Sequence, residues 1–212
     1  MDQSKQVQEI YNKSAGIYDI AMLLFGYTKS AERIISVLIE KMNFEPKRIL
    51  DVGCGTGNTT RTIRKKFPNA DIVGLDYSEN MLTYYNKRYP DFGTIYLDLN
   101  DKEARKRLIK EKVLKAESFD LIISAGTLSE YTNIGETISY LYNLLAKNGA
   151  LINIGVKDHP LNRISQKKFK YKPIKKREIT EICRKIGFRK VFSPKITHPL
   201  DRALRYGIIT IK

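Results

Sequence analysis

The sequence predicts an α/β protein: a doubly wound, mostly parallel sheet of seven strands, entered through an N-terminal helical lid. Three observations predict it. Short apolar runs alternate along the chain with segments whose apolar residues recur every three or four positions. Those runs are nearly continuous in Ile, Leu and Val, the pattern of strands buried on both faces. The first run also ends in glycines, ILDVGCGTGNTT (49–60), and the glycines open the next helical pattern. In such sheets a ligand sits at the carboxyl ends of the strands.

The elements follow in order. Thr28 to Met42 is an amphipathic helix through Ala31, Ile34, Ile35, Leu38 and Met42. RILDVG (48–53), DIVGLD (71–76), TIYLD (94–98), LIISAG (121–126) and ALINIGV (150–156) are strands. Between them, Asn58 to Phe67 is a short basic helix, and Ser78 to Lys87 starts at a good N-cap residue. Asp101 to Ala116 is a third helix in this series. Ile134, Ile138, Leu141 and Leu145 share one face of a fourth, with Gly149 as its stop. Lys175 to Ile186 carries Ile179, Ile182, Cys183 and Ile186 at helical spacing and closes at Gly187. RKVFSPKI (189–196) and RYGIITIK (205–212) are two last strands, expected as an antiparallel edge. No internal repeat or linker divides the 212 residues. The expectation is one domain, with a lid over 1–45, a ligand-binding core over 46–156 and a basic C-terminal part over 157–212.

Composition narrows the class. Apolar residues are 42% and charged residues 29%, ordinary for a globular protein. The longest apolar candidate, Ile20 to Tyr27, is far short of the ~18 residues of a membrane span. The first residues lack the apolar stretch of a signal peptide, and two cysteines, Cys54 and Cys183, make no disulfide framework. A cytoplasmic protein is expected, with peripheral membrane association left open. The net charge of +15 is uneven. Residues 157–190 hold 13 Lys and Arg against 3 Asp and Glu, two-thirds of the excess in one-sixth of the chain. That asymmetry points to an anionic partner or surface.

Gly53, Gly55 and Gly57 permit a tight turn and let the backbone approach a ligand with no Cβ in the way. Asp76 ends the second strand, 19 residues beyond Gly57, the place for a carboxylate that accepts from ribose hydroxyls. The dinucleotide fingerprint is GxGxxG, whereas the spacing here is GxGxG. Asp51, two residues before the first glycine, would repel an incoming pyrophosphate but favour a ligand carrying an ammonium group and a sulfonium. Spacing and charge therefore lean to S-adenosylmethionine (SAM) over NAD or FAD.

LDVGCGTGNTT followed by IVGLDYSENML resembles the first two motifs of class I SAM-dependent methyltransferases, and the order of elements over roughly residues 30–212 resembles that family's Rossmann-like fold. The resemblance implies roles. Gly53, Gly55 and Gly57 would line the methionine moiety, with Asp51 near its amino group and Cys54 an ordinary occupant of the loop. Asp76 would hold the ribose and Tyr77 would lie against the adenine, with Met81 of the same motif also at the cofactor. Asp98 and Leu99, in IYLDLND, match the third motif at the adenine amino group. Ser124 to Thr127 would lie near the reacting methyl.

The acceptor is less legible. Methyl transfer from a sulfonium is an in-line displacement that needs chiefly positioning, worth ~7–11 kcal/mol. A general base is needed only for a protonated acceptor. Glu130, Tyr131, Asp158 and His159 stand near the expected site, and Tyr131 and His159 are the preferred candidates. SAGTLSEY stands where an Asn/Asp-Pro-Pro-Tyr/Phe element would mark amino methylation of DNA bases, which argues against that subclass. The N-terminal YNKSAGIYDIAMLLFGYTKSAERI resembles the entry segment of ubiquinone/menaquinone-biosynthesis and phospholipid N-methyltransferases, matching at Tyr11, Ala15, Tyr18 and Asp19. It implies a lid over the SAM pocket, Tyr18 included, and Ile20 to Phe25 offers an apolar patch to a greasy substrate or bilayer. QKKFKYKPIKKR (166–177) interleaves Phe169 and Tyr171 with Lys, a pattern for RNA, for anionic lipid or for a merely solvated loop. The expectation is transfer to a small-molecule or lipid/quinone-like acceptor, with no structural metal. RNA or protein methylation, and a SAM-binding module without transfer, are the alternatives.

Overall fold

A computed structural model describes residues 27–128, 133–163, 166–167 and 172–212. Helix α1 (Tyr27–Met42) leads into β1 (Arg48–Val52), α2 (Asn58–Lys66), β2 (Asp71–Asp76), α3 (Glu79–Arg88), β3 (Gly93–Tyr96), α4 (Lys102–Lys110) and β4 (Phe119–Ala125). Then come α5 (Ile134–Leu144), β5 (Leu145–Val156), a 3-10 turn (Pro160–Asn162), α6 (Lys176–Ile186), β6 (Lys190–Phe192), α7 (Pro199–Leu204) and β7 (Arg205–Ile211). The seven strands form one sheet in the order β3-β2-β1-β4-β5-β7-β6. The first five are parallel, and β7 runs antiparallel between β5 and β6. The expected mostly parallel, seven-stranded, doubly wound sheet with its antiparallel edge is what forms.

Alternation of side chains along a strand explains why the runs are continuous in apolar residues. Leu50, Val52, Val73, Leu75, Ile122 and Leu151 face one core, closed by α5 and α6 through Ile138, Leu141, Ile179 and Cys183. Ile49, Ile72, Leu121, Ile123, Ile152 and Ile209 face the other, closed by α1 and α2 through Ile34, Ile35, Leu38, Ile63 and Phe67. Helix α1, within the expected lid, is thus a core helix on α2 and β7. Residues 1–26, with Tyr11, Ala15, Tyr18, Asp19 and the Ile20–Phe25 patch, lie outside the described residues.

Several expectations are corrected. The helix expected over 101–116 stops at Lys110, because Lys112 and Glu117 take positive φ (59° and 54°) and break the helical path, while Leu114 is pinned in the core. Leu145 is the first residue of β5, opposite Phe119, not the last of a helix face. Gly149 stops no helix. It sits where β5 shifts register against β4, beside Asn148 at φ 64°, and a Cβ there would press on the Ala146 carbonyl oxygen at 2.9 Å. The strand expected over 189–196 is only Lys190–Phe192, ending before Pro194, which has no N–H to donate. Two short elements were not expected, the 3-10 turn and α7. Both begin His-Pro, with the histidine capping and the proline at the first turn.

Candidate cofactor and acceptor site

The glycine turn lies at the carboxyl end of β1, and its three glycines do three different things. Gly53 has φ 68°, and a Cβ there would meet Thr127 Oγ1 at 1.9 Å. Its N–H donates to the Leu75 carbonyl at 2.7 Å, tying the turn to β2. Gly57 has φ 90° and caps α2, with the Tyr89 ring against it and the Tyr89 hydroxyl donating to its carbonyl at 3.0 Å. Gly55 has φ 53°, yet its absent Cβ would meet nothing within 4 Å. Two glycines are there for packing; the third faces open space. Gly126, at φ 82° after β4, also faces open space.

Two buried carboxylates support this turn. Asp76, at the end of β2, accepts from the Gly55 N–H at 2.8 Å and the Ser78 N–H at 2.9 Å. Burial pushes its carboxyl up to about 6, opposed by backbone N–H groups of Gly55, Ser78 and Tyr77. Asp51 is fully buried in β1 and accepts from Thr60 Oγ1 at 2.6 Å. Its other oxygen, Oδ1, has no hydrogen-bond partner among the described residues. Burial pushes Asp51 up to about 7; Thr60 pulls it down and the Asp76 charge adds to the rise. Among the described residues no Lys or Arg is a cause of either value. Thr60 Oγ1 lies 3.2 Å from the Tyr85 hydroxyl. The single threonine proton goes to Asp51 across the shorter contact, so Tyr85 donates to Thr60. A chain Tyr85–Thr60–Asp51 therefore aims the unpartnered Oδ1.

Residues 43–199 match the family described as a methyltransferase domain. The chain belongs to the class I SAM-dependent methyltransferase family. A malonyl-acyl-carrier-protein O-methyltransferase of Halalkalibacterium halodurans is 32% identical over 149 residues, 69% of this chain and 53% of that protein. A demethylmenaquinone methyltransferase of Thermotoga maritima is 27% identical over 151 residues, 70% and 60% of the two chains. The chain spans about half the length of the curated relatives it matches. Among solved structures, a SAM-dependent methyltransferase of Thermotoga maritima covers 96% of this chain and 99% of its own (TM-score 0.69, 20% identity). Phosphoethanolamine N-methyltransferase 2 of Haemonchus contortus, solved with SAM, covers 84% of this chain and 52% of its own (TM-score 0.64, 16% identity). At those identities the likeness is one of fold.

Tyr77, Met81, Asp98, Leu99 and Ser124 lie at or beside the carboxyl ends of β2, β3 and β4. Tyr77 follows Asp76 directly and is half-buried. Met81, in the first turn of α3, is buried, and its N–H donates to the Ser78 cap at 3.3 Å. Leu97 N–H donates to the Asp76 carbonyl at 3.0 Å, which brings Asp98 and buried Leu99 beside the β2 end. Asp98 Oδ1 accepts from the Asn100 N–H at 2.8 Å. Ser124 is fully buried in β4 beside Val52, its hydroxyl without a partner among the described residues. Cys54 is buried in the loop, its thiol pushed up by burial, with no trace of an activated thiolate. His159 caps the 3-10 turn, its Nδ1 accepting from the Leu161 N–H at 3.3 Å, and His198 caps α7 from Asp201 in the same way. The geometry gives His159 a capping task. Tyr131 and Glu130 lie outside the described residues.

Sequence reasoning missed Thr60, Tyr85 and Tyr89. Tyr85 lies inside the expected helix 78–87 and Tyr89 beyond its end; their contacts with Thr60 and Gly57 span 25 and 32 positions. Among the described residues no group of His, Cys, Asp and Glu is arranged to hold a metal, and no helix is long and apolar enough to cross a membrane.

Proposed function

We propose that this chain transfers the methyl group of SAM by direct displacement to a small-molecule or lipid/quinone-like acceptor. The observation that carries the reading is a pair of buried carboxylates, uncompensated by any cation among the described residues, beside a glycine facing open space. Burying a lone carboxylate is costly, and a cationic ligand at Asp51 Oδ1 offsets that cost where a pyrophosphate would raise it. When bound, SAM supplies a methyl carbon made electrophilic by its sulfonium. In this reading Asp51 faces the ammonium end, Asp76 accepts from the ribose hydroxyls, and Tyr77, Met81, Asp98 and Leu99 surround the adenine. Asp76 already accepts from backbone N–H groups, and its carboxylate oxygens keep lone-pair capacity for a ribose hydroxyl. Ser124 and Gly126, at the β4 end, border the place where acceptor and methyl meet. These residues work by positioning, the main requirement of such a displacement. The names of the malonyl-acyl-carrier-protein and demethylmenaquinone relatives support a small or lipid-like acceptor.

The test is calorimetric titration with SAM and with NAD, then incubation of SAM bearing a labelled methyl with cell extract and partition of the products. SAM binding tighter than NAD, with label in organic or small polar fractions, is expected. Tighter NAD binding overturns the cofactor reading, and label confined to RNA or protein overturns the acceptor reading.

A further inference from the structure

The carboxyl edge of the sheet continues past β5 into a cavity of about 500 Å³ that the site described above does not use. Its walls come from the end of β5, the start of β7, the segment after β6 and the residues that lead into α6. Lys157, Lys175, Lys176, Lys195, Arg202 and Arg205 line it, against the single carboxylate of Asp158. Two of these cations are committed. Lys157 Nζ donates to the Arg202 carbonyl at 2.6 Å, and Arg205 is paired with buried Asp201. The Asp158 carboxylate lies 4.0 Å from Arg163. The side chains of Lys175, Lys176 and Lys195 are exposed and make no ion pair or hydrogen bond with another described residue. Helix α6 also starts here, at Lys175, with no side chain capping its first N–H groups. Its positive end adds to the same field.

The cavity adjoins the transfer site. Ile174 and Tyr206 form a wall common to it and to a narrow crevice lined by Asn153, Gly155 and Gly126. The Tyr206 hydroxyl donates to the Ile174 carbonyl at 2.8 Å, which fixes that wall. Gly126 in turn follows the β4 end, where the reacting methyl is placed in the reading above. Gly126 and these lysines therefore stand on either side of one shared wall, Ile174 and Tyr206.

We propose that the methyl acceptor is a phosphate monoester, its phosphate held in this cavity by Lys175, Lys176 and Lys195. The proposal rests on the methyltransferase reading and names the acceptor class for it. A phosphate monoester carries −1.5 to −2 near neutral pH and three acceptor oxygens, which suits several separate ammonium donors better than one carboxylate does. The room of about 500 Å³ is that of a small-ligand site, not of a bare ion.

The test has three readouts on the full chain. Calorimetry with glycerol 3-phosphate and with glycerol is expected to show saturable binding of the first only. The double variant Lys175→Ala/Lys195→Ala is expected to weaken glycerol 3-phosphate at least ~10-fold and to leave the SAM dissociation constant unchanged. The product labelled from SAM in cell extract is expected to lose its anionic mobility on treatment with alkaline phosphatase. Label in the aqueous phase then assigns a soluble ester and label in the organic phase a lipid one. SAM binding without glycerol 3-phosphate binding, equal binding by the double variant, or a labelled product indifferent to phosphatase overturns the proposal and leaves the methyltransferase reading intact. Loss of SAM binding in the unaltered chain overturns that reading instead.

Discussion

Gly55→Ala separates folding from ligand binding. At φ 53° the alanine sits in the left-handed region, which costs about 1–2 kcal/mol for an L residue. Nothing lies within 4 Å of the new methyl, so no packing penalty is added. A domain of this size loses about 2–4 °C of Tm per kcal/mol, so a fall of about 2–8 °C is expected. The backbone N–H of Gly55 still reaches Asp76, so the turn keeps its support. Binding is another matter, because the methyl projects into the space assigned to the methionine part of SAM. Overpacking of ~1–3 kcal/mol at the ligand translates to a dissociation constant raised about 5- to 150-fold. Gly57→Ala is the contrast. Its Cβ would lie 2.3 Å from the Tyr89 ring, so overpacking adds to backbone strain and the Tm loss is the larger of the two. Differential scanning fluorimetry and calorimetric titration with SAM give both numbers on the same preparation. A Gly55→Ala protein that binds SAM within about threefold of the unaltered chain would refute the placement of the cofactor over this glycine.

Three further outcomes are expected. Asp76→Ala weakens SAM about 10- to 100-fold, since charge-assisted hydrogen bonds contribute about 1.5–3 kcal/mol; an unchanged dissociation constant by calorimetry removes Asp76 from the ribose. Tyr85→Phe deletes one neutral hydrogen bond to Thr60, about 0.5–1.5 kcal/mol, and loosens the aim of Asp51; SAM affinity therefore falls by more than the stability change alone accounts for, and equal falls would make Tyr85 a packing residue only. Asp51 and Asp76 stand at about 7 and about 6, above the carboxylate value of 3.8. The native state therefore holds protons that the unfolded chain has released, and ligand-free stability falls as pH rises from about 4 through 7. A cationic ligand favours the ionised pair, so SAM affinity rises between pH 5 and 7, by up to about tenfold per pH unit for each carboxylate that must ionise, and levels off above. Melting scans at pH 5 to 8 with and without SAM check this, and a pH-independent SAM increment contradicts it.

The parts legible in the sequence were those written in local grammar. ILDVGCGTGNTT announced both the strand and the turn, because positive φ at three positions needs glycine there whatever the rest of the chain does. Ser78 and Asp101 announced helix starts, since each side chain accepts from a backbone N–H three residues on. Leu145 and Gly149 were misplaced for a physical reason. Leu145 continues the helical spacing of Ile138 and Leu141, and only its pairing with Phe119 across the sheet makes it strand. His159 looked chemical because histidine near a sheet edge invites that reading. In the fold it does for Pro160 what His198 does for Pro199. The Tyr85–Thr60–Asp51 chain was invisible because its members come from three elements and meet only in the folded sheet.

A chain built only for stability would have spared itself Asp51. The position lies one residue before the carboxyl end of a central parallel strand, between Leu50 and Val52, fully buried, with one oxygen unpartnered among the described residues. Isolated buried carboxylates stay protonated unless something compensates them, and the rise to about 7 states that conflict. Its neighbours do not resolve it: Thr60 lowers the value through its hydroxyl and its backbone N–H, and Asp76 worsens the charge. Local rules that a protein breaks without internal compensation mark places where a ligand completes the arrangement. The missing element here must be positive, must reach past Gly55, and must leave Asp76 its backbone partners. A sulfonium ligand with a free ammonium meets all three conditions, and a pyrophosphate ligand fails the first. The Tyr85 hydroxyl, by holding Thr60 to one oxygen of Asp51, decides which oxygen is left for that ligand.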